Sequence, residues 1–419
     1  MNTVNLKENV NLHVYKTDKF KDVNIYIEFL DNSDKHDQVL RNLLGMMLED
    51  SCNLYKTKEA VTNLFNKNYG GSFSVSFDVK GCARLMEVKS SFVNGKYVED
   101  DTLLEKQFSI ISEFILNPIW KYKEYSTSLF NELKDKLKQQ ILVLNDRPSS
   151  YSNNKADLLF GEYLGVKADL NIKELNDITI DDVINMYDFI INNTRIDILV
   201  VGDVDNDEVL KYSKKYFDFD SRDVNFKMVY KSKKDEFIDE VENKNINQSL
   251  LQQRYKTNKT VLDDDFPSFV IGNGILGTLP TSLLFQEVRE KRSLCYSISS
   301  VVYGYDGVMK ISTGIDYKNI KKVKGLIEDQ IDKIKNGKFD DSLLETTRRM
   351  YINVYRANSD NVKSIMWDIY RNTILDDVMS IDKTIEEFKK VTKESVMESF
   401  KDVELITSYV LRQKVDEDE

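Results

Sequence analysis

The sequence has few histidines, few cysteines and no long apolar run, and each shortage excludes a class of protein. Its 419 residues include two histidines and three cysteines. Two histidines cannot form a histidine-based metal cluster. Three widely spaced cysteines give no disulfide framework, which predicts a reducing, cytoplasmic location. No stretch approaches the ~18 apolar residues of a membrane span, and the first residues show no secretion signal, so we expect no membrane span.

An excess of positive charge is also missing. The formal net charge is −11, and acidic and basic residues are mixed along the chain. This balance argues against a nucleic-acid-binding surface, so we expect no nucleic-acid partner. The hydrophobic content of 41% suits globular domains with real cores. The chain is too long for one core, which predicts two or more domains.

Helical and strand patterns alternate along the chain. Alternating apolar residues predict a strand over 22–31 and two strands over 72–92. Apolar residues at helical spacing predict helices over 37–55, 103–116 and 121–144. Gly70 and Gly71 lead into the predicted strand pair.

An internal repeat divides the chain. Residues 178–203 and 391–411 both read as a helix that starts at Ile/Val-Thr and is followed by a β-branched strand. Two copies of one α+β unit of ~200 residues are the simplest interpretation. We therefore predict domains at 1–220 and 236–419, joined by a polar linker at 221–235.

Two motifs favour ordinary structural roles over chemistry. Residues 272–277 match G-x-G-x-x-G, but no Asp or Glu occurs in 293–305, where a dinucleotide site needs an acid. A tight turn between closely packed helices explains these glycines better. Cys52 has no histidine near it in sequence to act as a base, so a buried thiol is the better interpretation.

The segment Met46-Met47-Leu48-Glu49-Asp50 has the spacing of a zinc-peptidase motif without its histidines. In His-x-x-Glu-His, two histidines four residues apart share one helix face and hold zinc, with the glutamate as general base. Here Met46 and Asp50 occupy the histidine positions, and Glu49 stands at the position of the base.

Three landmarks together resemble the insulinase and pitrilysin-like zinc peptidases, most closely the short two-chain branch related to mitochondrial processing peptidase. The first is residues 43–50 followed by a helix and Gly70-Gly71-Ser72. The second is residues 117–120 with the long helix that ends at Asp146-Arg147-Pro148. The third and most specific is residues 280–292 with Tyr296. The resemblance implies an α+β fold of two homologous domains, each a mainly antiparallel sheet packed with helices.

The departures from the family pattern argue against hydrolysis by this chain. The resemblance places Gln140 where the family has its distal glutamate ligand, and Met46 and Asp50 where it has histidines. A thioether and an uncharged amide are poor zinc ligands, and one carboxylate does not hold the ion. We therefore expect no metal and no catalytic residue in this chain, with zinc only in a partner subunit.

The third landmark keeps the family's substrate-binding pair. The resemblance implies that Arg289 and Tyr296, seven residues apart, bind the substrate backbone and the developing oxyanion. In two-chain members this pair can act in trans, at the zinc site of the other chain. The chain is thus expected to be the non-catalytic subunit of a heterodimeric peptidase, with a homologous His-x-x-Glu-His subunit and a peptide or unfolded segment as partners.

Two alternatives remain open. A peptide-holding scaffold, possible as a homodimer, would bind extended peptide along its own predicted edge strand, beginning at Ser72, Phe73, Ser74 and Val75. A metallopeptidase with an unrecognised metal site is the enzymatic alternative. The sequence does not choose among peptide maturation, elongation factor P modification and general proteolysis.

Overall fold

The computed structural model describes residues 2–122, 127–358, 360–375 and 380–414. Residues 123–126 of the helix predicted over 121–144 therefore lie outside the described residues. The last five residues of the predicted C-terminal domain, 415–419, lie outside them as well.

The described residues of the first half form six strands and nine α-helices. The strands are β1 (Asn2–Lys7), β2 (Val10–Lys16), β3 (Asp22–Asp31), β4 (Ser72–Lys80), β5 (Ala83–Val93) and β6 (Arg195–Gly202). The helices are α1 (Gln38–Asp50), α2 (Lys58–Lys67), α3 (Leu103–Leu116), α4 (Thr127–Asp146), α5 (Pro148–Phe160), α6 (Glu162–Ala168), α7 (Ile172–Asp177), α8 (Ile180–Asn193) and α9 (Asn206–Tyr216).

The second half, as far as it is described, contains five strands and six helices. The strands are β7 (Ile238–Lys244), β8 (Ser249–Lys256), β9 (Cys295–Tyr303), β10 (Val308–Ile315) and β11 (Glu404–Gln413). The helices are α10 (Phe266–Asn273), α11 (Ile320–Lys335), α12 (Asp341–Asn358), α13 (Val362–Ile374), α14 (Ile381–Lys390) and α15 (Lys393–Phe400). Residues 217–237, between the halves, are all described and contain neither helix nor strand. The domain boundaries stay a prediction.

Strand order shows that the two halves repeat one fold. The first sheet has the order β1-β2-β6-β3-β5-β4 and the second has the order β7-β11-β8-β10-β9. Apart from β1, each half orders its five strands as first, fifth, second, fourth and third. In each half the first and fifth strands are parallel and the other pairs are antiparallel. The predicted α+β fold of two homologous domains is confirmed.

The threonines at the start of the two repeated helices act as N-caps. The Thr179 hydroxyl accepts a hydrogen bond from the N–H of Asp182 at the start of α8, and the Asp182 carboxylate accepts one from the backbone N–H of Thr179. Thr392 and Ser395 form the same reciprocal pair at the start of α15. Each cap satisfies two of the donors that a helix N-terminus leaves unpaired, so these threonines fix where the helices before β6 and β11 begin.

One face of each sheet is covered by helices of its own half, and the other face by a helix of the opposite half. The main core of the first half joins β3 residues such as Ile25, Ile27 and Phe29 to α1, α3 and α8. On the opposite face, Leu30, Leu85 and Leu199 pack against residues of α13, namely Ile365, Met366 and Ile369. A helix from the second half thus covers the first sheet.

The second sheet is covered in the same way, by a helix from the first half, so the two halves exchange one helix each. Helix α5, from the first half, packs on β8 and β11 of the second sheet. Its Ala156 lies with Tyr409 and Leu411 in one buried cluster, and Phe160 lies with Val308 and Ile406 in another. The two halves are therefore interlocked through one helix from each.

Two local predictions were wrong in part. The helix predicted over 37–55 ends at Asp50, because Ser51 is extended and Cys52 forms a β-bridge with Pro118. Residues 272–277 form no tight turn. They lie in α10 and the π-helical turn Gly274–Thr278 that follows. A Cβ atom at Gly272 would lie 2.5 Å from the Phe400 ring, so close helix packing does explain this glycine.

Candidate functional site

The degenerate zinc motif lies at the C-terminal end of α1. Leu43, Leu44, Met47 and Leu48 are buried and attach this helix to the core. Met46 is half-buried and packs against the same core. Because Met46 and Asp50 are four residues apart in a helix, they share one face, as the pattern predicted. The thioether therefore takes part in core packing.

Asp50 is engaged by a lysine. The Nζ of Lys58, at the start of α2, lies 3.7 Å from the Asp50 carboxylate and 2.6 Å from the carboxylate of Glu132 on α4. The Asp50 side chain is only 7% exposed. One ammonium thus lies between two carboxylates at the end of α1. Sequence reasoning did not find Lys58 or Glu132, because neither falls in the motif spacing.

Glu49 connects α1 to the edge of the first sheet. The backbone N–H of Val75 on β4 donates to the Glu49 carboxylate, with an N···O distance of 3.4 Å. Burial raises the pKa of Glu49 above its ordinary value, and the Val75 hydrogen bond and the charge of Lys136 oppose that rise. Since this N–H points to Glu49 instead of β5, the carboxylate satisfies one outward donor of the edge strand.

Gln140 is exposed on α4, two helical turns after Glu132. No hydrogen bond among the described residues joins it to Met46, Glu49 or Asp50, and its assignment to the distal ligand position stays a prediction. Within the same residues, no group of three or more His, Cys, Asp or Glu is placed to hold a metal ion. A thioether in a core, a carboxylate paired with lysine and an exposed amide do not fit zinc.

The predicted peptide-binding edge is the outermost strand of the first sheet. Strand β4 begins at Ser72 and is the last strand in the sheet order, so one of its sides has no neighbouring strand. Phe73 and Val75 are buried, while Ser72 is exposed and Ser74 half-buried. The alternation shows one apolar face on the core and one polar face outward, as a half-buried strand requires.

Arg289 and Tyr296 lie together at the corresponding edge of the second sheet. Arg289 belongs to the π-helical segment Phe285–Glu290, and its guanidinium carbon lies 5.5 Å from the centre of the Tyr296 ring and 4.5 Å from that of Phe285. The left-handed conformation of Ser293, with φ of 51°, turns the chain from this helix into β9. The sequence analysis selects both residues as a candidate substrate-binding pair, and in the structure their side chains lie next to each other.

Tyr296 is the most accessible large apolar side chain of the described chain, with 82% of its surface exposed. It lies on β9, which is the last strand of the second sheet and has no charged residue. No hydrogen bond or ion pair among the described residues joins Arg289 or Tyr296 to Glu49 or Asp50.

Cys52 and the two histidines, His13 and His36, all have ordinary structural surroundings. Cys52 is buried, and burial raises the pKa of its thiol to about 11, so it is protonated at neutral pH. His13 is buried and its Nε2 lies 3.2 Å from Asp197, while His36 lies 2.7 Å from Asp169. Each histidine is thus engaged by a carboxylate.

Comparison with known proteins identifies the family. Residues 177–351 match the model of the peptidase M16 inactive domain. Over 406 residues, the chain is 26% identical to the probable inactive metalloprotease YmfF of Bacillus subtilis (strain 168), covering 96% of this chain and 95% of that protein. This chain is similar to inactive-type M16 peptidases. The resemblance to the insulinase and pitrilysin-like peptidases is thereby confirmed.

Solved structures share the fold of this chain. The M16 homologue matches a conserved protein from Enterococcus faecalis V583 with a TM-score of 0.93 and 25% identity, covering 99% of both chains. It also matches the ferredoxin protease FusC E83A mutant, solved with Arabidopsis ferredoxin, with a TM-score of 0.72. That match has 12% identity and covers 97% of this chain but 44% of FusC, so it shows the fold alone. No helix in the described parts of the M16 homologue combines the length and apolarity needed to cross a membrane.

Proposed function

We propose that this chain is the non-catalytic subunit of a heterodimeric zinc peptidase or peptide-processing complex. Its partner is a homologous subunit with an intact His-x-x-Glu-His, and Arg289 and Tyr296 act in trans on the peptide bound there. The observation that carries the proposal is the exposed Arg289–Tyr296 pair in a chain whose own motif residues do not fit zinc. A guanidinium and a phenol are donors suited to peptide carbonyl oxygens and to a developing oxyanion.

The surroundings of Arg289 support this role. The neighbouring Glu287 is engaged by Lys291, at 3.1 Å, and by Arg292. The Nε of Arg289 lies 3.7 Å from Glu290, beyond hydrogen-bond distance. Its guanidinium, with the side chain 37% exposed, keeps donors available for a peptide.

Strand β9 supports an interface at the same place. Edge strands of natural sheets are usually protected by charge, proline or a covering segment. Strand β9 has no charge and no proline, and it exposes Val301 as well as Tyr296. A partner that covers this edge would prevent edge-to-edge aggregation and bring its substrate to Arg289.

The length of FusC supports assembly from two chains. This chain covers 44% of FusC, which leaves room there for a second unit of similar size. We propose that a separate subunit supplies that unit here, in the reducing cytoplasm that the three free cysteines suit.

A peptide-holding scaffold without a protease partner is the second candidate. The unpaired side of β4, beginning at Ser72, favours it, because an extended peptide can add to such an edge. The hydrogen bond from Val75 to Glu49 counts against it, since one outward donor is already satisfied. Copurification of an active homologue would separate the two candidates.

The test uses the complex reconstituted with a homologous His-x-x-Glu-His subunit. Tyr296→Phe removes one donor, and Arg289→Ala removes the guanidinium fork. Each is expected to reduce kcat about 10²-fold, the typical cost of losing an oxyanion donor, and Arg289→Ala should also raise KM. Tyr69→Phe, at another exposed tyrosine, is the matched control and should keep full activity.

Assembly is measured in parallel by size-exclusion chromatography, where this chain alone has a mass of 48.8 kDa. The coexpressed pair should elute near twice that mass, with or without the substitutions. Full activity in both variants would overturn the role in trans. Two separate monomer peaks at micromolar concentration would overturn the heterodimer.

A further inference from the structure

A cavity of about 280 Å³ lies between the first sheet and α13, on the face away from α1. Its floor is formed by β3, β5 and β6, with Tyr26, Glu28, Glu87 and Leu199 in the lining. Met366 and Trp367 of α13 form its apolar roof. The volume is close to the lower end of the range for small-molecule sites in proteins.

One buried carboxylate in this cavity has an oxygen without a partner. Glu28 is 4% exposed, and its Oε2 makes no hydrogen bond within the described residues. The other acids are engaged. The Nζ of Lys89 lies 2.8 Å from Glu87, and the Nζ of Lys167 lies 2.6 Å from Asp78. A buried polar atom without a partner is costly, which is the usual sign of a missing ligand or water.

The second sheet shows how the same position is completed in the other half. There, Arg254 on β8 lies directly opposite Lys310 on β10. Helix α5, which comes from the first half, supplies a negative charge to this like-charged pair. Asp157 of that helix lies 2.7 Å from Arg254 and 2.8 Å from Lys310. One carboxylate of the exchanged helix therefore bridges both buried cations and offsets one of their two charges.

The first sheet has acids at the corresponding positions, and lysines of its own strands supply counter-charges to one of them. Lys80 and Lys89 lie 3.6 Å and 2.8 Å from Glu87, whereas no ion pair among the described residues includes Glu28. On the corresponding strands, Glu28 of β3 lies directly opposite Glu87 of β5. The visiting helix α13 contributes Lys363, Met366 and Trp367 to the cavity, but no described ion pair joins it to Glu28. The Lys363 side chain is exposed at the edge of the cavity. A cation at Glu28 and an anion at Lys363 would complete the site.

We propose that this cavity binds a free α-amino acid with an apolar side chain. Its ammonium group would pair with Glu28 and its carboxylate with Lys363, while the side chain would pack against Leu199 and Met366. Burial and the neighbouring Glu87 raise the pKa of Glu28 well above its ordinary value, and a bound ammonium group would oppose both effects. This site is separate from Arg289 and Tyr296, and it does not depend on the proposed function.

The test is calorimetric titration of the full chain with L-leucine and two truncated analogues. 3-Methylbutylamine lacks the carboxylate, and 4-methylpentanoate lacks the ammonium group. We expect L-leucine to bind at millimolar concentration or tighter, the amine to bind more weakly and the acid to bind weakest. Glu28→Gln should weaken L-leucine about tenfold or more, as expected for the loss of a charged hydrogen bond.

Two further variants keep the result interpretable. Lys363→Met should weaken L-leucine and leave the amine unchanged, because only L-leucine carries the carboxylate. Glu236→Gln, at an exposed acid outside the cavity, should change neither. No saturable binding of L-leucine to the unmodified chain, or equal binding to Glu28→Gln, would overturn the proposal. Tight binding of the amine alone would replace the amino acid by a simple organic cation and would also overturn it.

Discussion

At the scale of single residues, a lysine ammonium lies beside Asp50, at the end of the degenerate motif on α1. Lys58 pairs with Asp50 at 3.7 Å and with Glu132 at 2.6 Å. Because Lys58 and Glu132 are both more than half exposed, the pairing contributes little to stability. It also links a carboxylate of α4 to the end of α1 through one ammonium group.

This arrangement predicts how a zinc site can be restored. Met46→His with Asp50→His supplies two imidazoles, but Lys58 still holds Glu132, so we expect weak zinc binding. Adding Lys58→Ala releases Glu132 as a third ligand, and zinc should then bind at least about tenfold tighter. The measurement is zinc titration against a competing chelator. Lys67→Ala, on the exposed surface of the same helix α2, is the control third substitution. Equal affinities with Lys58→Ala and Lys67→Ala would contradict the prediction.

At the scale of elements, the β4–β5 hairpin joins the two halves through its tip. Gly81 has φ of +59°, and a Cβ atom there would lie 2.0 Å from the carbonyl oxygen of Met228 and 2.7 Å from that of Tyr305. The backbone N–H of Cys82 donates to the same Met228 oxygen at 3.0 Å. The hairpin tip therefore contacts the segment between the halves and the β9–β10 turn.

Gly81→Ala should consequently destabilise the fold for two reasons, strain and collision with backbone atoms that cannot rotate away. We expect a loss of about 3 kcal/mol or more in the free energy of unfolding, at the upper end for single substitutions. Gly70→Ala is the matched control, because Gly70 has φ of +76° but no atom within 4 Å of the added Cβ. It should cost about 1–2 kcal/mol from strain alone. Chemical denaturation of both variants measures the difference, and equal losses would show that the tip has room to move.

The elements themselves were largely predictable from the sequence. Alternation gave the strand at 22–31 and the hairpin in 72–92, and helical periodicity gave α3 with the predicted bounds. Periodicity shows that a helix has an apolar face, but it does not say which sheet that face covers. For this reason the exchange of α5 and α13 could not be predicted. The pairing of Lys58 with Glu132 is also tertiary, since the two residues lie on different helices.

At the scale of the molecule, the exchanged helix α5 is fixed by one buried acid. Asp157 pairs with both Arg254 and Lys310, and all three side chains are at most 7% exposed. Removing one partner of a buried ion pair leaves the others without compensation, which commonly costs 3–5 kcal/mol. The link between the two halves thus depends strongly on this carboxylate.

We expect Asp157→Ala to lower the free energy of unfolding by about 3–5 kcal/mol. The single cooperative transition should also separate into two, because α5 then covers the second sheet less tightly. Asp239→Ala is the matched control. Asp239 pairs with Lys324 at the surface of the same sheet, where such pairs contribute about 1 kcal/mol or less. Similar losses in both variants would contradict the assignment.

Lys310 makes this loss dependent on pH. Burial lowers the pKa of Lys310 from 10.5 to about 8, and Asp157 acts against the fall. Because the unfolded chain keeps its proton to a higher pH, stability from this group rises with pH between the folded and unfolded pKa values. Without Asp157 that rise should begin at a lower pH. In alkaline buffer, Asp157→Ala should therefore recover part of the free energy of unfolding that it loses at neutral pH. If that loss were the same at every pH, Lys310 would not be its source.

The exchange of helices also has a consequence for how the chain is made. The inner face of the first sheet is covered by α13, which is translated more than 150 residues after β6 is complete. At ~5–20 residues per second, that face waits on the order of ten seconds or more beside the ribosome for its cover. Leu30, Leu85 and Leu199 remain open to solvent during this interval. Nascent chains of this protein should therefore bind ribosome-associated chaperones over a defined window, which closes when α13 leaves the exit tunnel.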